Sequence, residues 1–197
     1  MSNYAQRYIH GLLDQVARVM PVDDAPRNIG EIAPSSRQPH VALYLRLLPG
    51  LCLATTAGLA ERATPLPLHE GIQSFELCAL TTFDDPQLLW LLSNVGAYLL
   101  ASSAPLLYGD PGAEPRSFLP YETIQLGGDD TRMLLVPRWT FTVLEGPRVE
   151  VIEPLPITDA QCSELEPLPR EDRGQWVARM GSRTVNAWST LFERLSD

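Results

Sequence analysis

The chain contains no lysine: all 15 of its basic residues are arginines. That absence excludes Schiff-base chemistry, a lysine-anchored P-loop and the kinase fold's catalytic lysine together. Cysteine is scarce, with Cys52, Cys78 and Cys162 odd in number and far apart in sequence. This is the pattern of core thiols in a reducing compartment rather than of a disulfide framework or a zinc ribbon. Three histidines, His10, His40 and His69, stand about thirty residues apart with no H-x-H or H-E-x-x-H, so no metal site is expected. Neither G-x-S-x-G nor G-x-G-x-x-G occurs, which leaves a common serine hydrolase or a dinucleotide cofactor without support, and no cofactor is expected. No long apolar run is unbroken. Leu88 to Leu107 is interrupted by Ser93, Asn94, Gly96, Ser102, Ser103 and Pro105 and has acidic flanks, so it reads as a buried helix and not a membrane span. The first twenty residues carry Arg7, His10, Asp14 and Arg18 and lack the apolar core of a signal peptide. A cytoplasmic protein without a membrane partner is expected.

What the 197 residues do contain is acid and proline. A net charge of −9 repels a phosphate backbone, so direct nucleic-acid binding is not expected. Eighteen prolines imply short elements joined by stiff turns. Ser2 caps a first helix whose Ile9, Leu12, Leu13, Val16 and Met20 recur at helical spacing, and Val22 to Pro39 reads as a surface linker. From His40 the period is two: Val41, Leu43, Leu45 and Leu47 share a face, Pro49-Gly50 turns the chain, and Leu51 to Thr56 returns as a partner strand. Gln73 to Thr81 is a third strand with Phe75, Leu77 and Ala79 on one side. Asp84, Asp85 and Pro86 then open a helix to about Ala101, apolar almost all round and therefore central to the core. Gly127 to Asp130 forms a turn. Arg132 to Glu145 and Arg148 to Leu155 are strands, Thr158 or Asp159 caps a short helix, and Arg170 to Asp197 is an amphipathic helical tail with Trp176, Met180, Val185, Trp188, Leu191 and Leu195 inward. The fold class expected is α+β: a mostly antiparallel mixed sheet packed around a central apolar helix, with N- and C-terminal helices. Three units are expected: residues 1–39 as N-terminal helix and linker, 40–166 as the core, and 167–197 as a C-terminal helical segment packed on it.

Glu76 lies in an apolar strand, Phe75-Glu76-Leu77-Cys78. A buried acid is either satisfied structurally, with mid-strand Arg46 the candidate partner, or it is a general acid of raised pKa in a hydrolase that needs a second carboxylate nearby. The structural role is favoured, and no catalytic residue is assigned. Asp129, Asp130, Glu145, Glu150 and Glu153 form an acidic grouping that is either a solvated face or, on the sharper reading, the candidate partner-binding surface. Such a surface steers a basic protein, such as a nuclease, into contact.

Four segments in order carry a resemblance: Thr55-Thr56-Ala57-Gly58-Leu59, Phe75-Glu76-Leu77, Trp90-Leu91-Leu92 with Ala97-Tyr98, and Ile152-Glu153-Pro154-Leu155-Pro156-Ile157-Thr158. Over Val41 to Glu164 the chain resembles the suppressor of fused (SUFU) family in its bacterial form. Where that family often has a glutamate after the Pro-Ile-Thr segment this chain has Gln161, and where it often has a serine stands Ala60. The resemblance implies a mixed α/β protein-binding domain with no established catalytic site. It further implies an immunity protein of polymorphic or contact-delivered toxin systems such as type VI secretion, whose partner is a cognate toxin, commonly a nuclease. The alternatives are a secretion adaptor or scaffold that carries a toxin without silencing it, and the carboxylate-dependent hydrolase.

Overall fold

In a computed structural model the chain is described over residues 2–20, 22, 27–32, 41–62, 74–82, 86–103, 112–114, 116, 118–126, 131–181, 183, 184, 187, 188, 190 and 191. The Asp84–Asp85 cap, the turn at Gly127–Asp130, Val185 and Leu195 lie outside these residues. The elements are α1 (Asn3–Ala17), β1 (Arg27–Ile32), β2 (Val41–Leu48), β3 (Leu51–Ala57), β4 (Phe75–Thr81), α2 (Pro86–Ser103), β5 (Thr123–Leu126), β6 (Thr131–Thr142), β7 (Arg148–Ile157), α3 (Asp159–Leu165) and α4 (Arg170–Met180). The strands form one seven-stranded sheet in the order β1-β2-β3-β4-β7-β6-β5. Every pairing is antiparallel except β4 with β7, so the expected mostly antiparallel mixed sheet is what forms. Residues 27–32, expected within a linker, instead pair with β2 as a strand at the sheet's edge. Backbone pairing at an edge needs no apolar sequence pattern, which is why periodicity does not reveal it.

Helices cover both faces. On one, α2 packs Leu88, Leu89, Leu92, Val95, Leu99 and Leu100 against Ala42, Tyr44, Ala54, Phe75, Leu77, Met133, Leu135 and Ile152. On the other, α1 lays Tyr4, Ala5, Tyr8, Leu12 and Val16 on Val41, Leu43, Leu45, Leu47, Leu53 and Val151. Farther along that second face, Cys162, Leu165, Trp176 and Val177 of α3 and α4 cover Leu134, Val136, Leu155 and Ile157. A sheet covered twice must be apolar on both sides of its strands, which is why β2 and β4 read as nearly continuous hydrophobic runs. Each fully buried Leu or Tyr here contributes roughly 1.5–3 kcal/mol by leaving water.

Local sequence sets most boundaries. Ser2 accepts the Ala5 N–H at 3.1 Å and starts α1. Gly50 adopts φ +76° in the β2–β3 turn, a conformation that favours glycine. Thr158 and Gln161 make a reciprocal capping box for α3, the task a glutamate would perform at the same place. The tail helix does not run through: α4 stops at Gly181, φ +52°, and helical backbone resumes at Arg183. The central helix is also less covered than its composition predicts, for Trp90 is 52% exposed.

Helix α1 lies close on β6 because Gly11 has no side chain: a Cβ there would stand 2.7 Å from the Phe141 ring, which stacks on Tyr8 at 5.8 Å. Gly11→Leu is expected to lower stability by about 1–3 kcal/mol in urea unfolding, the usual effect of overpacking. Unchanged stability would show that α1 can lift from the sheet without loss.

Candidate functional site

Among the described residues two buried acids, Glu76 and Glu153, each gather a polar centre. Glu76, on the α1 face of β4, has zero exposure. Its Oε1 accepts from the Gly58 N–H at 2.7 Å, the Ala60 N–H at 3.1 Å and the Tyr4 hydroxyl at 3.1 Å. Its Oε2 accepts from Thr56 Oγ1 at 2.8 Å, and Thr56 Oγ1 in turn accepts the Leu77 N–H at 2.8 Å. Beside it the Tyr8 hydroxyl lies 3.0 Å from Thr55 Oγ1, which donates to the Leu77 carbonyl at 2.9 Å. The carboxylate thus ties the chain after β3 to β4 and both to α1. Two of the four segments that carry the family resemblance, Thr55 to Leu59 and Phe75 to Leu77, meet here. Ala60 serves through its backbone N–H, so the loss of a serine hydroxyl leaves this contact intact.

Burial pushes Glu76 above its ordinary value of 4.5, while the Ala60 and Gly58 amides and the Thr56 and Tyr4 hydroxyls pull it down. Burial is the larger effect. The same burial, with Glu76 adjacent, raises the Tyr4 and Tyr8 phenols well above the ordinary tyrosine value of 10.0. All four donors are uncharged. The expected partner, Arg46, is exposed on β2 and stands outside this set, so the pairing of Arg46 with Glu76 is corrected. Alternation explains it: Arg46 falls out of phase with the inward face of Val41, Leu43, Leu45 and Leu47.

The second centre is Glu153 with Arg138. Glu153, expected on a partner-binding surface, is 1% exposed and holds the Arg138 guanidinium through Nε at 2.6 Å, with Nη2 also in contact. Its geometry follows from prolines. Pro154 has no N–H, and the parallel ladder of β4 with β7 stops at Leu77 opposite Ile152. Beyond that point β4 pairs with β3 and β7 with β6, so the sheet splits. Arg138 is the extra residue of a bulge between Pro137 and Trp139, which aims its side chain at Glu153. Burial raises the Glu153 pKa against the opposing pull of Arg138, the Trp188 indole N–H and the Leu80 amide. Glu153 Oε1 and Trp188 Nε1 both lack a well-formed hydrogen bond. Cys78 nearby is buried, and its thiol is pushed well above its usual range by burial and by Glu153.

The proposed acidic grouping therefore divides. Asp129 and Asp130 lie outside the described residues. Glu150 is half-buried in β7, and burial raises its pKa. Glu145 is exposed at the β6–β7 turn with φ +51°, and its carboxylate accepts from Arg7 at 2.7 Å. Leu144 beside it is 72% exposed. Glu153 left the expected surface because its strand is covered on both faces, which alternation alone does not disclose. No three His, Cys, Asp or Glu side chains among the described residues group as a metal site. No helix among them is long and apolar enough to cross a membrane.

An α+β fold of this order, with helices on both faces of a mixed sheet, is that of SUFU-like proteins. The crystal structure of a protein described as a SUFU (suppressor of fused protein) homolog from Neisseria gonorrhoeae FA 1090 superposes with a TM-score of 0.57 over 91% of this chain and 91% of that one, at 13% identity. No protein-family model and no curated protein matches the chain. The likeness establishes a SUFU-like fold.

Proposed function

We propose that this protein is an immunity protein: it binds a cognate antibacterial toxin, a nuclease effector, and neutralises it by contact, with no catalysis of its own. The observation that carries the reading is the SUFU-like fold along 91% of the chain, since the family it resembles implies protein binding and, in bacteria, immunity to delivered toxins. Charge supports it independently. A net charge of −9 accelerates encounter with a basic, nucleic-acid-degrading partner and disfavours nucleic acid itself. The buried acids are engaged within the fold, Glu76 by four donors and Glu153 by Arg138, which suits structural staples better than a hydrolase.

Between residues 127 and 153 the exposed β6–β7 turn offers an apolar group and an acid side by side, Leu144 and Glu145. We place the partner contact there. The test is capture of partners from the producing cells with the full chain as bait, followed by nuclease assay of any stoichiometric partner. A nuclease silenced in the complex is expected, and Leu144→Asp with Glu145→Arg is expected to weaken that complex about tenfold or more, as loss of an interface anchor does. A partner that stays active would establish the adaptor instead, and unchanged affinity of the double variant would move the contact elsewhere.

A further inference from the structure

In a chain richer in acid than in base, most arginines are expected to be neutralised, and many are. Arg7 meets Glu145, Arg116 meets Glu122 and Arg138 meets Glu153, while Arg173, not ion-paired among the described residues, is held by the carbonyls of Leu168 and Tyr121. One region departs from this. Where the start of β6, the end of β7, α3, α4 and the helical residues after Gly181 meet, two cavities lie side by side. One, of about 260 Å³, has Arg132 and Arg183 among its lining and Pro156, Ile157, Ala187 and Leu191 as apolar wall. The other, of about 350 Å³, adds Arg179, Glu164 and Trp176 and shares Gln161, Met180 and Arg183 with the first.

Among the described residues these arginines are at most loosely paired. Arg132 donates to Cys162 Sγ at 3.0 Å and forms a loose ion pair with Glu166 at 3.8 Å, longer than a hydrogen bond. Arg179 and Arg183 are exposed and make no ion pair among the described residues. Glu164, the acid on the rim, already accepts the Trp176 indole N–H at 3.1 Å. A cavity with an apolar wall and guanidinium forks that are loosely paired or, among the described residues, unpaired has the features of a small-molecule site.

We propose that this cleft binds a compact organic anion: a carboxylate or phosphate head between Arg132 and Arg183, carried on an apolar body about the size of one aromatic ring. The head is set by the forks, which grip planar or tetrahedral oxyanions through paired N–H donors. The body is set by the Pro156, Ile157, Ala187 and Leu191 wall and by a volume near the lower limit of ligand pockets. Because the whole protein carries −9, it repels an anion at a distance, and affinity must come from contact inside the cleft. This site is independent of the toxin contact at Leu144 and Glu145.

Calorimetric titration of the full chain with phenyl phosphate, benzoate, inorganic phosphate and benzyl alcohol tests it. Saturable binding of phenyl phosphate or benzoate is expected, at least tenfold tighter than inorganic phosphate, with none for benzyl alcohol. The tighter of the two aromatic anions identifies the head group. Arg183→Gln is expected to weaken that binding about tenfold or more, the worth of a charged hydrogen bond, and Arg183→Lys to recover only part of it because an ammonium cannot form the fork. Arg183 is exposed, so both variants should keep the wild-type circular dichroism spectrum. Absent binding, equal affinity for inorganic phosphate, or an Arg183→Gln variant that binds as well as the wild type would overturn the proposal.

Discussion

Glu76→Ala is expected to unfold the protein or to remove about 4 kcal/mol or more of stability, because four buried donors lose their acceptor at once, each worth on the order of 1 kcal/mol or more when left unpaired. Glu76→Gln keeps the shape and one acceptor oxygen, so its loss should be far smaller, about 1–2 kcal/mol. Acid separates the two roles of the group. The folded pKa of Glu76 lies above its ordinary 4.5, so the native state binds its proton more tightly than the unfolded chain does. By linkage, the stability this provides is fully present below the unfolded value and is lost as pH rises through the folded one. Lowering the pH toward 4.5 should therefore favour the wild type relative to Glu76→Gln, which has no such proton. Urea unfolding of both proteins from pH 7 downward reads the difference directly. A difference that stays flat, or that turns in favour of glutamine in acid, would mean that the four donors outweigh burial.

Removing Arg138 alone is expected to be nearly as damaging. Arg138→Met leaves the Glu153 carboxyl buried at 1% exposure with no cation, a change that typically costs about 3–5 kcal/mol. Replacing both partners, Arg138→Met with Glu153→Met, should recover most of that loss, since a buried pair exchanged for apolar groups of similar size is often neutral. A double variant no better than Arg138→Met would show that Glu153 has a second task. The Trp188 indole and the Leu80 amide beside it are the groups that would supply one. A single variant as stable as the wild type would show that the carboxyl is protonated and content without its arginine.

Both experiments act on groups that are visible in the sequence, yet their partners are not. Phe75-Glu76-Leu77 announces a buried acid in an apolar strand, and the burial is as expected. Arg46 is the candidate partner from sequence because it stands mid-strand in Leu45-Arg46-Leu47, yet β3 separates its strand from β4. The structure instead uses backbone amides of Gly58 and Ala60, which no residue type advertises, and a hydroxyl from α1, seventy-two positions away in sequence. Glu153 misled for the opposite reason. In Arg148 to Leu155 it sits among acids and prolines that resemble a solvated edge, and only the cover of the sheet's second face and the bulge at Arg138 turn it into a buried ion pair. The arginine cleft has no signal of its own, because Arg132 and Arg183 are fifty-one positions apart in sequence and the amphipathic pattern of Arg170 to Asp197 runs through Gly181, where the structure ends α4.

Wherever a rule is local, the sequence alone was enough. The Ser2 cap, the Pro49-Gly50 turn, the period-two strands from Val41, the cap at Thr158 and the apolar helix from Pro86 each depend on a few consecutive residues and their backbone preferences. The mixed sheet and its covering helices follow from adding those elements together. Tertiary structure decided what depends on distant segments meeting: the edge strand at residues 27–32, the split between β4 and β7, the four donors around Glu76, and the open cleft at Arg183. Each of these is settled by where a free N–H, a missing N–H or a loosely paired charge comes to rest after packing. Hydrophobic pattern sets which face of an element is inward. It carries no information about which polar group will stand opposite.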